Sequence, residues 1–354
     1  MIGNPIFIQR CFQLAAKGEG FTKPNPMVGA VIVHNDRIIG EGNHRRFGEA
    51  HAEVNAVNSV KDQSLLKDST LYVSLEPCVH YGKTPPCAEL IVSKGIPRVV
   101  IAVRDPNPNV SGKGVAMMRE SGIEVIEGML EDEARGLNSF FFLNQLESRP
   151  YVILKWAQSK DGFIDINRSA NDDKTPVLIS NRLTQSIVHK IRTRVQGIMV
   201  GTNTALLDNP QLTSRKWFGT NPTRITIDRE NRIPKDSALF DGSAPVIIFT
   251  DSAPADNTDM IKFIELDFEG DTNSQILKHL YDEKIFSLMV EGGTKLLTSF
   301  IEKDLWDEVY VELSDTLLFD GVRAPDIMGD AEGTKKLLNS TQYHLKRKIT
   351  RNFL

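Results

Sequence analysis

Residues 51–57 read HAEVNAV, and residues 76–87 read EPCVHYGKTPPC. A His-x-Glu alone means little, since many surface helices carry one. The two cysteines downstream change its reading. TLYVSLE (70–76) has the content of a buried strand, and Cys78 stands just past it. PPCAELIVSKG (85–95) reads as a helix ending at glycine, and the segment from His51 to about Val60 as another helix. Strands alternating with helices indicate an α/β layer structure.

One imidazole and two thiolates make three protein ligands. Zinc held in this way keeps a fourth position for water, as catalytic sites do. It lowers the pKa of that water toward about 7, so hydroxide is available at neutral pH. Glu53 is placed to take the water proton and pass it to a leaving amine. The pattern is the His-x-Glu…Pro-Cys…Cys arrangement of zinc deaminases, with one departure from the general Pro-Cys-x-x-Cys form. Here eight residues, VHYGKTPP, separate Cys78 from Cys87. A closed zinc site with a fourth ligand elsewhere, or a chance grouping, are the plainer alternatives. The proline before Cys78 and the histidine at a helix start favour catalysis.

The 354-residue length suits two domains with sizeable cores. Apolar residues at 40% and charged residues at 25% are ordinary for a globular protein. A formal charge of −4 leaves no basic excess to neutralise a nucleic-acid backbone, although a local cluster can hold one phosphate. The start, MIGNPIFIQRC, has no secretory pattern, and no stretch approaches ~18 uninterrupted apolar residues. No membrane association is therefore expected. Three cysteines, Cys11, Cys78 and Cys87, fit a reducing cytoplasm better than a disulfide framework. Cys11 shares a helical stripe with Phe7, Leu14 and Ala15, and reads as a buried structural thiol.

MVGAVIVHNDRIIGEG (27–42) predicts two strands around an Asn35-Asp36 turn. RVVIAV (98–103) and IEVIEG (123–128) are further strands. EARGLNSFFFLNQLESRP (133–150) reads as one helix with a polar exit, which puts a domain boundary near 146–150. The alternation then restarts. YVILKWAQ (151–158), GIMVG (197–201), TRITID (223–228), PVIIFT (245–250), FSLMVEGG (286–293) and DEVYVEL (307–313) are strands. SNRLTQSIVHKIRTR (180–194) and TKLLTSFIEK (294–303) are helices. No G-x-G-x-x-G follows the first of these strands. VEGGTKLL is the nearest candidate for anion binding at a helix N-terminus, with a plain turn as the alternative.

HAEVNAV, LEPCVHYGKTPPC, PNPMVGAVIV, GNHRRFGEAHAE and RDPNP occur together in the order of the bifunctional riboflavin-biosynthesis deaminase–reductases, which this chain closely resembles. In that family the long cysteine spacing is the usual one. The resemblance implies a cytidine-deaminase-like three-layer domain over 1–147 and a dihydrofolate-reductase-like domain over 148–354. It implies one Zn²⁺ on His51, Cys78 and Cys87, with Glu53 as the catalytic acid/base. Zinc hydroxide would attack the ring carbon bearing the 2-amino group of 2,5-diamino-6-(5-phosphoribosylamino)pyrimidin-4-one, and ammonia would leave. Asn25, His44, His80, Lys83, Asp105 and Asn107 would line that site. An amide such as Asn25 can read a pyrimidine edge. His80 and Lys83 could hold the 5′-phosphate, and Asp105 and Asn107 the ribose hydroxyls. All of these but His80 also have a plainer reading: Asn25, Asp105 and Asn107 as turn formers, His44 as a surface residue, Lys83 as a solvated one.

LKWAQSKDGFI (154–164), IMVGTNTALLDNPQLTSR (198–215) and VEGG (290–293) resemble the family's reductase motifs. They imply NADPH contacts at Ala157, Thr204, Asp208, Gly292, Gly293 and Thr294, and substrate contacts at Lys155, Arg192, Leu212, Arg215 and Glu291. The two arginines suit phosphate, which their forked donors match. NADPH would reduce the ribosyl group of the deaminated product to ribityl. No general acid for that step stands out beyond Lys155. Trp156, where a smaller residue is usual, Asn209, where a second acid is expected, and the polar run DINRSANDDKTP (165–176) depart from the family. The family also implies a homo-oligomer, dimer or tetramer, acting on a small phosphoribosyl pyrimidine.

Two rivals remain at this level. One is a zinc deaminase for another nucleobase, for example in tRNA, with an accessory second domain; the acidic balance counts against it. The other is a zinc-bearing interaction protein without catalysis. An intact Glu53 argues against that, since a structural zinc site needs no such acid.

Overall fold

In the computed structural model, which describes residues 3–81, 85–108, 110–168, 177–254, 257–329 and 331–347, the chain divides into two units, Met1–Ser148 and Arg149–Leu354. In the first, Asn35 and Asp36 take φ of 47° and 57°, the left-handed pair that a two-residue hairpin needs. They join β1 (Gly29–His34) to β2 (Arg37–Asn43). With β3 (Thr70–Val73), β4 (Arg98–Ile101) and β5 (Glu124–Glu127) they form a sheet of order β2-β1-β3-β4-β5. β2, β1 and β3 pair antiparallel; β3, β4 and β5 pair parallel. The expected strand over 70–76 stops at Val73, because the chain then turns and Glu76 N–H bonds Val103 O instead.

The helices of this unit are α1 (Pro5–Ala15), α2 (Ala52–Ser59), α3 (Cys87–Ser93), α4 (Lys113–Glu120), α5 (Glu131–Leu137) and α6 (Ser139–Glu147). Asn4 caps α1 by accepting from Ile6 N–H, and Pro5 opens the helix where no donor is needed. Phe7, Ile8, Cys11 and Leu14 of α1, with Ala134 and Phe142 of α5 and α6, pack on Val31, Tyr72 and Val100 of the sheet. Ala52, Ala56, Ile91, Val115 and Met118 of α2, α3 and α4 pack on Ile32, Leu71, Val73 and Val99 across the sheet. The result is three layers, helix–sheet–helix. A Cβ on Gly42 would lie 2.3 Å from Ala56 N, so glycine there lets α2 rest directly on β2.

The single helix expected over 133–150 is two. Asn138, at φ −112° and ψ 30°, interrupts it. Its side chain accepts from Met27 N–H at 2.8 Å and donates to Met27 O at 2.8 Å. This long-range clasp holds the residue out of the helical well.

The second unit contains β6 (Tyr151–Gln158), β7 (Phe163–Asp165), β8 (Gly197–Val200), β9 (Thr223–Ile227), β10 (Val246–Thr250), β11 (Ile261–Glu265), β12 (Ser287–Gly292), β13 (Glu308–Ser314), β14 (Val322–Arg323), β15 (Gly333–Leu337) and β16 (Ser340–Lys346). Its helices are α7 (Arg182–Arg194), α8 (Thr202–Asp208), α9 (Thr272–Asp282) and α10 (Thr294–Glu302). The main sheet runs β11-β10-β9-β8-β12-β6-β13-β16-β15, and β14 pairs with β7 separately. From β11 to β13 the pairs are parallel; β16 and β15 add an antiparallel edge. Leu154, Trp156, Val290, Val309 and Val311 face α9 and α10 in an apolar core. The alternate positions carry Lys155, Glu291 and Glu312, and there α7 lies against them through Arg192. No helix among the described residues is long and apolar enough to cross a membrane.

Candidate active sites

β3 ends in the turn that delivers Cys78. Cys87 opens α3, and His51 caps α2. Three elements on one face of the sheet thus bring their ligand atoms within 4.8 Å of one another. His51 Nδ1 lies 3.5 Å from Cys78 Sγ and 3.4 Å from Cys87 Sγ. With Zn–S of about 2.3 Å and Zn–N of about 2.0 Å, a tetrahedral edge is roughly 3.6 Å. The trio therefore fits zinc in spacing as well as in donor type. Cys78 is pushed down to about 4, first by the hydrogen bond from Cys87, and Cys87 is pushed up as the partner keeping its proton. His51 is raised, chiefly by its bond with Cys78. A cation among them takes the place of those protons.

Glu53, on the first turn of α2, is 3% exposed. Burial pushes its carboxyl up to about 7, and the neighbouring Cys78 adds in the same direction while His51 opposes. A carboxyl held near neutrality beside the trio can both accept and return a proton. His44 is 2% exposed, which removes its surface alternative. Its ring lies edge-on to His51 at 5.5 Å, its Nδ1 is 3.2 Å from Ala50 O, and its Nε2 is 3.3 Å from Asn25 Nδ2. Burial pushes its pKa down. Asn25, His44 and the metal trio are thus one cluster. Asp105 is buried and pushed up to about 6, first by desolvation; His80, an exposed neighbour, opposes the rise. Asp105 Oδ1 accepts from Asn107 N–H at 2.8 Å, which closes the DPN turn. Lys83 lies outside the described residues.

In the second unit, Arg192 on α7 meets Glu291 on β12 through two bonds of 2.8 and 2.6 Å and donates to Thr213 O at 2.8 Å. Two residues expected on the substrate therefore hold each other, and the pair is largely sheltered from water. Arg215 Nη1 donates to Thr213 Oγ1 at 3.2 Å. Leu212 is buried with φ 50°, at the bend that turns Thr213 toward both arginines. Lys155 lies on β6 next to β12; burial depresses its pKa, and Glu291 and Glu312 oppose that fall. Ala157 stands near the end of the same strand.

Gly293 takes φ 76° and caps α10, with Thr294 at the first helical position. A Cβ on Gly292 would lie 3.0 Å from Thr204 Cγ2, so the glycine turn comes close to α8. Asp208, at the end of α8, is ion-paired with Arg168, which also pairs with Asp165. Two departures in the sequence have structural roles. Trp156 fills the α9–α10 core, and Asn209 ends α8 in the left-handed region while its side chain accepts from Ser237 Oγ and Ala238 N–H. Residues 169–176 of the polar run lie outside the described residues.

Among the described residues around these clusters, sequence reading did not single out buried Glu76, His189 and Glu312, nor Arg168 with its sheltered side chain. Glu312 is 1% exposed and accepts from Ser180 Oγ at 2.6 Å. A signal for it existed. DEVYVEL alternates polar and apolar residues inside a central strand, which marks a second, polar buried face. Nothing in a lone glutamate before Pro-Cys announces the role of Glu76.

Residues 4–103 match the cytidine and deoxycytidylate deaminase zinc-binding region, and residues 150–346 match the RibD C-terminal domain. The riboflavin biosynthesis protein RibD of Aquifex aeolicus is 38% identical over 326 residues, covering 91% of this chain and 89% of that protein. That of Bacillus amyloliquefaciens is 40% identical over 330 residues, covering 91% and 87%. Among solved structures, the diaminohydroxyphosphoribosylaminopyrimidine deaminase/5-amino-6-(5-phosphoribosylamino)uracil reductase of Thermotoga maritima superposes with a TM-score of 0.86 at 38% identity, covering 97% of this chain and 98% of that one. Acinetobacter baumannii RibD superposes with a TM-score of 0.87 at 31% identity over the same shares.

Proposed function

The chain belongs to the RibD family, the bifunctional deaminases and reductases of riboflavin biosynthesis, and from that premise we propose which of its residues carry each step. Its cofactors are zinc and NADPH. A deaminase for another nucleobase with an accessory second domain is not favoured, since the RibD C-terminal domain spans 150–346. The deaminase step belongs to residues 1–147 and the reductase step to residues 148–354.

The His51–Cys78–Cys87 trio beside buried Glu53 is the observation that carries the reading. When bound, zinc supplies a water that loses its proton near neutral pH. Glu53 accepts that proton as the oxygen adds to the ring carbon bearing the 2-amino group. It then delivers the proton to the departing nitrogen, so one water is consumed and one ammonia released. Asn25 and His44 hold the pyrimidine edge, Asp105 and Asn107 the ribose hydroxyls, and His80 and Lys83 the phosphate.

In the reduction, NADPH supplies the hydride. The Gly292–Gly293 turn and Thr294 offer backbone donors at a helix N-terminus for the cofactor's pyrophosphate. Thr204, Asp208 and Ala157 complete that side. Arg215 and Arg192, the latter held by Glu291, take the substrate phosphate. Leu212, packed with Val200 and Ala205, borders that site at the bend before Thr213. Lys155 delivers the proton that the opening ribose ring oxygen needs. A cytoplasmic homo-oligomer, dimer or tetramer, is the assembly we infer; sedimentation velocity tests it.

The test supplies zinc-loaded protein with 2,5-diamino-6-(5-phosphoribosylamino)pyrimidin-4-one and follows ammonia and NADPH absorbance together. Ammonia release followed by NADPH oxidation is expected. No ammonia from protein with bound zinc would overturn the substrate assignment.

A further inference from the structure

Glu76 stands two residues before the ligand Cys78 and is 3% exposed. A carboxylate buried that deeply must be paired or fully hydrogen-bonded. No cation meets it. Instead each oxygen accepts two backbone amides. Oε2 takes Asp105 N–H at 3.2 Å and Gly112 N–H at 3.0 Å, and Oε1 takes Gly114 N–H at 3.0 Å and Val115 N–H at 3.2 Å. The amides come from the loop after β4 and the first turn of α4. Such a nest of N–H groups is an anion site, and here the anion is the protein's own. The fit is close: a Cβ on Gly114 would lie 2.3 Å from Pro77 O and 3.2 Å from Glu76 Oε1.

The consequence lies at Asp105. Its own N–H is one of the four donors, and its carboxylate in turn fixes Asn107 N–H. One side chain therefore ties the turn carrying Cys78 to the turn carrying the ribose-side residues. We propose that Glu76 is a positioning residue of deamination, one that sets the distance between the metal ligands and the Asp105–Asn107 turn. This rests on the assignment of those residues to substrate in the proposed function. The turn holds a remote part of the substrate, so displacing it weakens ground state and transition state alike. That loss appears in KM and leaves kcat nearly unchanged.

Glu76→Gln tests this in the full-length, zinc-loaded chain. The amide places a donor where one oxygen accepted two N–H groups, so the nest must open while size and packing stay. Four readouts are taken: bound zinc, KM and kcat for ammonia release, and NADPH oxidation with the deaminated product supplied directly. The expected result is a KM raised on the order of tenfold to hundredfold, with kcat, zinc content and reduction retained. Gly114→Ala attacks the same contact from the loop side and should raise KM in the same way. An unchanged KM in Glu76→Gln overturns the proposal. So does a loss of zinc that tracks the loss of activity, since it would make Glu76 a support of the metal site only. Absence of ammonia release from the unaltered enzyme would overturn the proposed deamination itself, a different result from either.

Discussion

At the scale of single residues, Glu53 and the Arg192–Glu291 pair make the sharpest demands. Glu53→Gln keeps the shape of the side chain and removes its ability to accept a proton. Ammonia release should fall on the order of a hundredfold to ten-thousandfold, with zinc content unchanged, because the three ligands are untouched. Ammonia assay and metal analysis of one preparation decide this; lost zinc with retained turnover would sink the assignment of roles. Arg192→Lys keeps a charge but not the fork that meets both oxygens of Glu291. Lysine also cannot reach Thr213 O in the same geometry, so the anchor of the Leu212–Arg215 bend is weakened. The KM for the reductase substrate should rise about tenfold, which corresponds to ~1.4 kcal/mol. Steady-state NADPH oxidation with the deaminated product measures it, and an unchanged KM would remove Arg192 from the binding site.

At the scale of elements, Asn138 shows why a local pattern was not enough. Through both its bonds to Met27 it breaks α5 from α6 and holds the loop that carries Asn25. Asn138→Ala removes both bonds and leaves the partly buried N–H and C=O of Met27 without them. The cost should be ~1–3 kcal/mol, seen as faster hydrogen exchange at Val28 and Met27, together with a raised KM for deamination. Exchange rates equal to those of the unaltered chain would show that the clasp is idle. The sequence carried no sign of this contact, because it joins residues 111 apart. What it did reveal has local causes. The Asn35-Asp36 hairpin, β1 to β6, β8 to β10, β12, β13 and the helix starts at His51 and Cys87 follow from turn chemistry and periodicity. The metal trio was legible because ligand type and spacing are written in the chain. The nest around Glu76 was not, and Lys155, Glu291 and Glu312 were legible only singly, because only strand pairing and loop return bring such residues together. α4, α8, α9, β7, β11, β14 and the β15–β16 hairpin also went unread, being short or weakly patterned.

At the scale of the molecule, the two units divide the chemistry, so their failures should be separable. A chain with Glu53→Gln should oxidise NADPH at its normal rate when given the deaminated product. The same division allows the second unit's stability to be read alone, since Trp156, Trp217 and Trp306, all the tryptophans of the chain, belong to it. His189 on α7 is the group to watch there. Burial, then Arg192 and Arg215, push its pKa from 6.5 down to about 4; Glu291 opposes and Lys216 assists. The folded unit thus resists a proton that the unfolded chain accepts. Stability is complete above pH 6.5, falls as pH drops from 6.5 toward 4, and no longer changes through this group below that. At 1.36 kcal/mol per unit, the loss is at most about 3 kcal/mol. His189→Asn can still accept from Lys216 N–H but cannot titrate. Tryptophan-monitored unfolding at pH 7 and at pH 4.5 should therefore show a larger drop for the unaltered chain than for the variant. Equal drops would place the acid sensitivity of this unit elsewhere, in its carboxylates.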